Sequence, residues 1–248
     1  MEAIIDLERM AAAHWRGTEE ERLGGWLLRA AEGFTGRANS ALPLGDPGLP
    51  LDQALVAVTG WYRARGLPPM VSVPTALATD SPGHQLDSHL SERGWVTRPG
   101  PAFVMLANLP LGARPSELAA GREVRLSSVP DGAWIARYHY RGQGHLTPVA
   151  HKVLTSAAEQ SFVSIRDGEV VLAIARLSLA EGWAGVTAVE VHPDHRRQGL
   201  GAAVTEAACA VAGQRGFDRV FLQVEVDNAG ARALYKRLGF GDSHRYHY

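Results

Sequence analysis

A short glycine-rich segment in the last quarter of the chain combines residue types that suit an anion. Residues 196–201 read Arg-Arg-Gln-Gly-Leu-Gly and precede a run with helical spacing. Glycines let the backbone approach a ligand closely, and the unpaired N–H groups at the start of a helix carry a partial positive charge. Because the two arginines add forked donors, the segment predicts a pyrophosphate site.

Two other phosphate-binding motifs fit this segment poorly. A nucleotide P-loop requires Gly-Lys-Ser/Thr after the glycines, and that sequence is missing. The dinucleotide motif requires G-x-G-x-x-G and an acidic residue after the second strand, and neither stands in a convincing place. Taken alone, the segment leaves one further alternative, which is a glycine-rich helix start with two solvated arginines.

The segment lies within a predicted order of strand, loop, helix, strand and helix. Residues 185–191 and 220–226 are short and rich in β-branched side chains, as buried strands are. Apolar residues recur at helical spacing from residue 200 onwards. Asn228 can cap a second helix over residues 229–238. We expect a right-handed crossover with the two strands parallel.

The rest of the chain predicts further elements and a faint repeat of the same plan. These elements are a hairpin of residues 161–165 and 169–177, helices over 130–141 and 148–158, a hairpin of 25–30 and 36–42, helices over 51–65 and 84–93, and a strand over 70–73. Matching helix ends, Gly66 with Gly216 and Gly94 with Gly239, stand at offsets of 150 and 145 residues. They indicate a diverged duplication around a linker at residues 110–121, with coincidence as the alternative.

These ordered features resemble motifs A and B of the GNAT superfamily of acyl-CoA-dependent N-acyltransferases. The strand, His192-Pro193, the R-x-x-G-x-G loop and the long helix are similar to motif A, and Asn228 with residues 231–240 (ARALYKRLGF) is similar to motif B. The resemblance implies an α/β (α+β) fold of two GNAT-like domains, each a mixed, mostly antiparallel twisted sheet flanked by helices. A splayed parallel strand pair is expected in the second domain.

The two implied domains differ in their expected roles. Residues 122–248 are identified as the catalytic GNAT domain. Residues 1–115 resemble a degenerate, non-catalytic copy, because residues 45–50 (Gly-Asp-Pro-Gly-Leu-Pro) carry an acidic residue and no arginine where a phosphate loop would be needed. We expect this first domain to shape the acceptor site.

The resemblance also assigns roles to individual residues. It places backbone groups of the motif-A strand and of the loop on the acyl-CoA, and Tyr235 as the acid that protonates the leaving thiolate. The implied cofactor-binding residues are Val189, Val191, Arg196, Arg197, Gln198, Gly199, Leu200, Gly201, Ala202 and Asn228. Glu190 and Glu225 are candidates for the base that the amine requires, and motif matching selects neither. Each of these residues also has a purely structural interpretation, such as a helix cap, a core aromatic or a surface carboxylate.

Composition bounds what else the protein can do. The 248 residues carry a net charge of −1, which gives no electrostatic case for nucleic acid or membrane partners. Cys209 is the single cysteine, and the first residues lack a secretory pattern, so we expect a cytoplasmic protein. Histidine pairs 192/195 and 244/247 lack carboxylate or Cys partners in a metal-binding pattern, so no metal is expected.

The resemblance implies acetyl transfer from acetyl-CoA to a primary amine by direct attack in a ternary complex. The amine acceptor is either a small molecule or a protein or peptide, and the chain is a monomer or a homodimer. A non-catalytic acyl-CoA sensor and a transferase for a longer acyl-CoA are the alternatives. Residues 244–248 are expected to form the last strand, whose side chains either shape the acceptor pocket or simply pack.

Overall fold

The fold is described from a computed structural model for residues 2–77, 82–112, 116–138 and 146–248. The helices are α1 (Glu2–His14), α2 (Leu51–Arg63), α3 (Pro82–Glu92), α4 (Gly132–Arg137), α5 (Pro148–Leu154), α6 (Leu200–Gln214) and α7 (Ala229–Arg237). The strands are β1 (Glu19–Leu23), β2 (Trp26–Ala30), β3 (Leu42–Pro43), β4 (Val73–Ala76), β5 (Ala102–Asn108), β6 (Arg122–Ser127), β7 (Glu159–Asp167), β8 (Val170–Ala180), β9 (Trp183–Val191), β10 (Arg219–Glu225) and β11 (Gly241–His247).

These elements form two compact units. The first unit holds the described residues of Met1–Phe103 together with Pro148–Ser156 and Ser243–Tyr248. The second unit holds those of Val104–Thr147 and Ala157–Asp242. Among the described ranges, no helix is long and apolar enough to cross a membrane.

The second unit contains a mixed sheet with helices packed on it. Its strands follow the order β5-β10-β9-β8-β7-β6. The pairs β6/β7, β7/β8 and β8/β9 are antiparallel, whereas β9 and β10 are parallel. Helix α6 packs against β7, β8 and β9, and its buried side chains are mostly alanine and valine. The predicted α/β class, with mostly antiparallel strands and one parallel pair, is confirmed.

The helices and hairpin before this parallel pair are close to the predicted ones. The hairpin of β7 and β8 turns at Gly168, which has a positive φ of 56°. Helix α4 begins one residue after Asp131, whose side chain accepts a hydrogen bond from the Trp134 backbone N–H. It is shorter than predicted, and residues 139–141 of the predicted helix lie outside the described ranges. Helix α5 stops at Leu154 instead of 158, because the hydroxyls of Thr155 and Ser156 bond to carbonyls of its last turn.

The first unit departs from one predicted hairpin. Strand β2 pairs with β1 through the turn at Gly24 and Gly25, and β3 contributes only two residues to the other edge. The side chain of Asn39 organises the intervening loop: its Oδ1 accepts from the backbone N–H groups of Ala31 and Gly33 at 2.8 and 2.9 Å. The prediction of a strand over residues 36–42 was therefore wrong, because a side-chain amide there takes the backbone hydrogen bonds that a paired strand would make.

The last strand of the chain belongs mainly to the first unit. It pairs antiparallel with β4, which runs over Val73–Ala76 and not over the predicted residues 70–73. His244 is fully buried, and its Nε2 lies 2.8 Å from Oε1 of Glu8 in α1. The prediction that residues 244–248 form the last strand is confirmed, and the side chain of His244 has a packing role within it.

Four helix ends close in the same way. In each, a glycine with positive φ follows the helix, and the next backbone N–H bonds to a carbonyl five residues earlier. The pairs are Leu67 to Tyr62, Trp95 to Leu90, Phe217 to Ala212 and Phe240 to Tyr235, at 3.0–3.1 Å. The matched helix ends seen in the sequence are therefore also matched in backbone conformation.

Candidate active site

The parallel strands β9 and β10 separate part-way along their length. Pairing joins Ala184 to Val220 and ends at Val186 with Leu222, although both strands continue. Beyond this point β9 changes from buried to half-buried residues. Within the described residues, the two strands therefore present facing edges whose backbone groups are not paired with each other. The splayed pair that the motifs implied lies at this place.

A β-bulge in β9 stands where the strands separate. Ile174 of β8 pairs with Glu190, and Arg176 pairs with Thr187, so β9 has one extra residue in this interval. Ala188 takes up the extra length with a φ of 53°, a conformation that side chains other than glycine rarely adopt. The bulge therefore bends β9 and turns the backbone next to Val189.

The bulge also decides which side chains share a face. Residues directly opposite each other on paired strands lie on the same face. Since Ala173 pairs with Val191 and Leu177 with Val186, these valines share one face, and Glu190 lies on the other. We expect the side chain of Glu190 to lie on the face opposite its neighbouring valines, and the strand register is consistent with that.

The predicted phosphate loop ends in an uncapped helix. Arg197 and Gly199 have positive φ angles of 63° and 77°, and Gly199 occupies the N-cap position of α6 without any side-chain cap. The first helical hydrogen bond runs from the Ala203 N–H to the Gly199 carbonyl at 3.0 Å. Among the described residues, no side chain therefore caps the N–H groups of the first turn, at Leu200, Gly201 and Ala202.

The loop side chains carry positive charge that faces solvent. Arg196, Arg197, Gln198 and Gly199 are exposed. Neither arginine forms an ion pair with any carboxylate in the part of the chain that the structure describes. The first turn of α6 thus combines a positive helix end with two free guanidinium groups, which is the chemistry a pyrophosphate requires.

Gly201 has a packing role that the sequence did not indicate. A Cβ at this position would lie 3.1 Å from Cδ1 of Leu234 and 3.7 Å from Cγ2 of Val191. The missing side chain therefore lets the first turn of α6 approach both α7 and the end of β9. In contrast, a Cβ at Gly199 would meet nothing within 4 Å.

Two histidines follow β9. The rings of His192 and His195 meet edge to face, with their centroids 5.2 Å apart. His192 Nδ1 accepts from the Asp194 N–H at 3.3 Å. His195 Nδ1 is buried and has no hydrogen-bond partner among the described residues. No group of three or more His, Cys, Asp or Glu that could hold a metal ion occurs in the described ranges.

Helix α7 presents Tyr235 from its buried side. Asn228 caps the helix, with its Oδ1 accepting from the Ala231 N–H at 3.1 Å. Two turns later Tyr235 is 7% exposed and its ring meets that of Phe240 edge to face. Burial raises the pKa of Tyr235 to about 12. The phenol therefore stays protonated at neutral pH, as a proton donor must.

The two candidate bases differ in their surroundings. Glu190 is half-buried in β9 and interacts with neighbouring groups, whereas Glu225 is exposed at the end of β10. Both lie beyond the last paired residues of the two strands. Cys209 is buried, and burial raises the pKa of its thiol to about 12, so this residue is a small core side chain.

The residues that fit an acyl-CoA therefore come from three neighbouring elements. The end of β9 offers backbone groups, the loop before α6 offers N–H groups and arginines, and α7 offers a protonated phenol. Two residues that help to shape this candidate site, Ala188 and Arg122, could not be identified from the sequence around them. Ala188 is not a residue type that favours positive φ. Arg122 donates from Nη2 to Oε1 of Gln198 at 2.8 Å across 76 residues of sequence.

Proteins named as acetyltransferases are similar to this chain over most of its length. An uncharacterized N-acetyltransferase, YobR of Bacillus subtilis, is 28% identical over 253 residues, covering 100% of this chain and 98% of YobR. A GCN5-related N-acetyltransferase from Kribbella flavida has the same fold, with a TM-score of 0.70 and 21% identity over 98% of this chain and 93% of that chain. A tandem GNAT protein from the clavulanic acid biosynthesis pathway matches with a TM-score of 0.65 and 16% identity, over 84% of this chain and 73% of that chain.

The fold and these relatives define a GNAT-type N-acetyltransferase, as motifs A and B predicted. The chain belongs to the family described as "Probable histone acetyltransferase Rv0428c C-terminal", which matches residues 2–248.

Proposed function

We propose that this enzyme moves the acetyl group of acetyl-CoA to a primary amine, which attacks directly in a ternary complex. The observation that carries the proposal is the separation of β9 from β10 beside the uncapped first turn of α6. Unpaired strand edges suit the amides of an extended pantetheine chain. The N–H groups of the helix start, together with Arg196 and Arg197, suit the pyrophosphate that follows it.

The proposed reaction needs three groups around the thioester. The amine nitrogen forms a bond to the acetyl carbon, and the C–S bond then breaks. Backbone groups at Val189 and Val191 hold the acetyl carbonyl and the pantetheine, and polarise the carbonyl as charge develops on its oxygen. Tyr235 gives its proton to the departing thiolate. The attacking amine loses its proton to Glu190, to Glu225 or to a chain of water.

A covalent acyl-enzyme is a poor alternative for this chain. The thiolate is the nucleophilic form of cysteine, and the pKa of Cys209, about 12, leaves very little of it at neutral pH. Its side chain is also buried in α6. Direct attack by the amine therefore needs fewer assumptions about the structure.

A thiol-release assay on the full chain tests the proposal. Acetyl-CoA is offered with small amines, amino acids, an aminoglycoside and peptides with free N-termini or lysines. We expect release of CoA thiol with at least one amine, and a loss of about 10²–10⁴-fold in kcat for Tyr235→Phe with little change in the Kd of acetyl-CoA. Tyr246→Phe, which also removes a buried hydroxyl, is the matched control.

The assay also separates the competing functions. Binding of acetyl-CoA without turnover of any amine would favour an acyl-CoA sensor. Faster turnover with propionyl-CoA or longer thioesters would favour a different acyl donor. Unchanged kcat in Tyr235→Phe would remove the acid role from this residue. The net charge of −1 argues mildly against strongly basic protein acceptors.

We also propose that residues 1–115 derive from the same ancestral domain as residues 122–248. The four helix ends with one common closure support this, since two come from each half. The full chain is the right material for every assay, because Pro148–Ser156 and Ser243–Tyr248 pack within the first unit.

A further inference from the structure

The first unit contains a cavity of about 400 Å³ that the proposed acetyl transfer does not use. Its volume lies in the range of pockets that hold small organic ligands. All of its lining residues belong to the first unit. Most of the wall is apolar, with Leu67, Met70, Val73, Leu90 and Trp95 among its side chains.

Defined backbone structure builds the cavity wall. The glycine closures at the ends of α2 and α3 direct Leu67 and Trp95 into it. On another side, the Arg98 backbone N–H donates to the Tyr248 carbonyl at 2.6 Å. The cavity is therefore framed by hydrogen-bonded segments and not by loose loops.

Few polar groups of the lining remain available to a ligand. Asn39 uses its amide on four backbone partners: it accepts from Ala31 and Gly33 and donates to Phe34 and Thr35. Asp87 Oδ1 lies 2.8 Å from Nε2 of His247. These groups already have partners within the protein.

Arg98 is the charged group of the lining that has no charged partner among the described residues. The residue is half-buried, and its one side-chain hydrogen bond goes from Nη1 to the Met70 Sδ at 3.7 Å. A thioether is a weak acceptor, and Arg98 forms no ion pair with any residue that the structure describes. Most donors of this cation therefore have no acceptor among the described residues, in a cavity whose wall is mostly apolar.

We propose that this cavity binds an amphipathic organic carboxylate, with the carboxylate on Arg98 and the apolar body against Leu90 and Trp95. A planar carboxylate fits the forked donors of one guanidinium, whereas a phosphate dianion would call for more positive charge than one arginine supplies. An amine is disfavoured because Asp87 is paired with His247. None of the residues proposed above for acetyl transfer lines this cavity.

Calorimetry on the full chain with three probes of one shape tests the proposal. The probes are 4-phenylbutyrate, 4-phenylbutan-1-ol and 4-phenylbutylamine. We expect the carboxylate to bind at least about tenfold more tightly than the other two, since a charge-assisted hydrogen bond to arginine supplies about that factor. Arg98→Gln should remove this preference and Arg98→Lys should keep part of it. Arg93→Gln is the control, because Arg93 pairs with Asp52 and does not line the cavity.

Several results would overturn the proposal. These are no binding of 4-phenylbutyrate by the wild type, equal affinity for the three probes, preference for the amine, or an unchanged preference in Arg98→Gln. Circular dichroism and acetyl-CoA affinity show whether each variant is folded. Failure of the acetyl-transfer assay would leave this result untouched, because the carboxylate and the alcohol are not amine acceptors and the readout is the loss of their difference in Arg98→Gln.

Discussion

Arg122 and Gln198 join the first residue of β6 to the loop before α6 through a hydrogen bond of 2.8 Å. Both side chains are on the protein surface, yet this contact bridges 76 residues of sequence. The Gln198 amide oxygen is engaged by the protein itself. We therefore infer that Gln198 serves an acyl-CoA through its backbone, while its side chain fixes the position of the loop.

Arg122→Ala should weaken acetyl-CoA binding without impairing the chemical step. Loss of one hydrogen bond of this kind costs about 0.5–1.5 kcal/mol, so we expect the Kd of acetyl-CoA to rise about 2- to 12-fold. The kcat at saturating acetyl-CoA should stay the same. Arg125→Ala is the control, because Arg125 lies on the same strand and bonds to Glu123. Equal effects of the two substitutions would contradict a role for Arg122 in the loop.

The two glycines that flank the body of α6 should respond oppositely to alanine. Gly199 has a φ of 77°, so Gly199→Ala should cost roughly 1–2 kcal/mol of unfolding free energy and also weaken acetyl-CoA binding. Gly213 lies within the helix, and a Cβ at this position would meet nothing within 4 Å. Gly213→Ala should therefore stabilise by about 0.5–1 kcal/mol. Urea unfolding measures both, and destabilisation by Gly213→Ala would argue against the α6 boundary.

Asp131 should make stability depend on acid pH. Partial burial opposes its ionisation, but the Trp134 N–H and the buried Arg166, 2.6 Å away, lower the pKa of this carboxyl overall. The folded state thus favours the charged form. Its stabilising contribution is present above the unfolded pKa of about 3.9 and is lost as pH falls through the lower folded value.

Asp131→Ala and Asp131→Asn separate the cap from the charge. Asp131→Ala should cost about 1–3 kcal/mol at pH 7, because it removes the α4 cap and leaves Arg166 without its carboxylate. Asp131→Asn keeps an N-cap acceptor and should cost less. The difference between wild type and Asp131→Asn should shrink between pH 4 and 2. A difference that stays constant over that range would mean that charge is not involved.

Ionisation of Tyr235 should not lower kcat at any pH below about 10. Burial raises its pKa to about 12, above the value of about 10 for a free phenol. It therefore remains an acid up to about pH 10, and any fall in kcat below that pH should also occur in the residual activity of Tyr235→Phe. The unfolded state loses this proton first, so stability should fall as pH rises from about 10 to 12. If kcat of the wild type fell below about pH 10 while kcat of Tyr235→Phe did not, the raised pKa of Tyr235 would be contradicted.

The parts of the site that the sequence predicted are those specified locally. The β-branched runs, the glycine of the α6 N-cap and the Asn228 cap each act within a few residues, and the order of elements in the second unit followed from them. The contact of Arg122 with Gln198, the bulge at Ala188 and the approach of Leu234 to Gly201 depend on tertiary packing. No pattern in the sequence marks them.

The misplaced hairpin of the first unit has a similar explanation. Residues 36–42 have strand-like spacing only in part, and the Asn39 amide offers the backbone of Ala31 and Gly33 a closer partner than a second strand would. In wide turns, side-chain amides can in this way replace the backbone hydrogen bonds that a paired strand would make.

The placement of Ser243–Tyr248 in the first unit has a consequence for biosynthesis. Strand β4 and the buried carboxylate of Glu8 receive their partners, β11 and His244, only when residues 243–248 are made. About 140 residues separate the end of Met1–Phe103 from that segment. At roughly 5–20 residues per second, the ribosome needs about 7–28 s to supply it. During that interval the nascent amino-terminal half carries an open strand edge and an unpaired acid, and an open edge is a site at which another chain can pair.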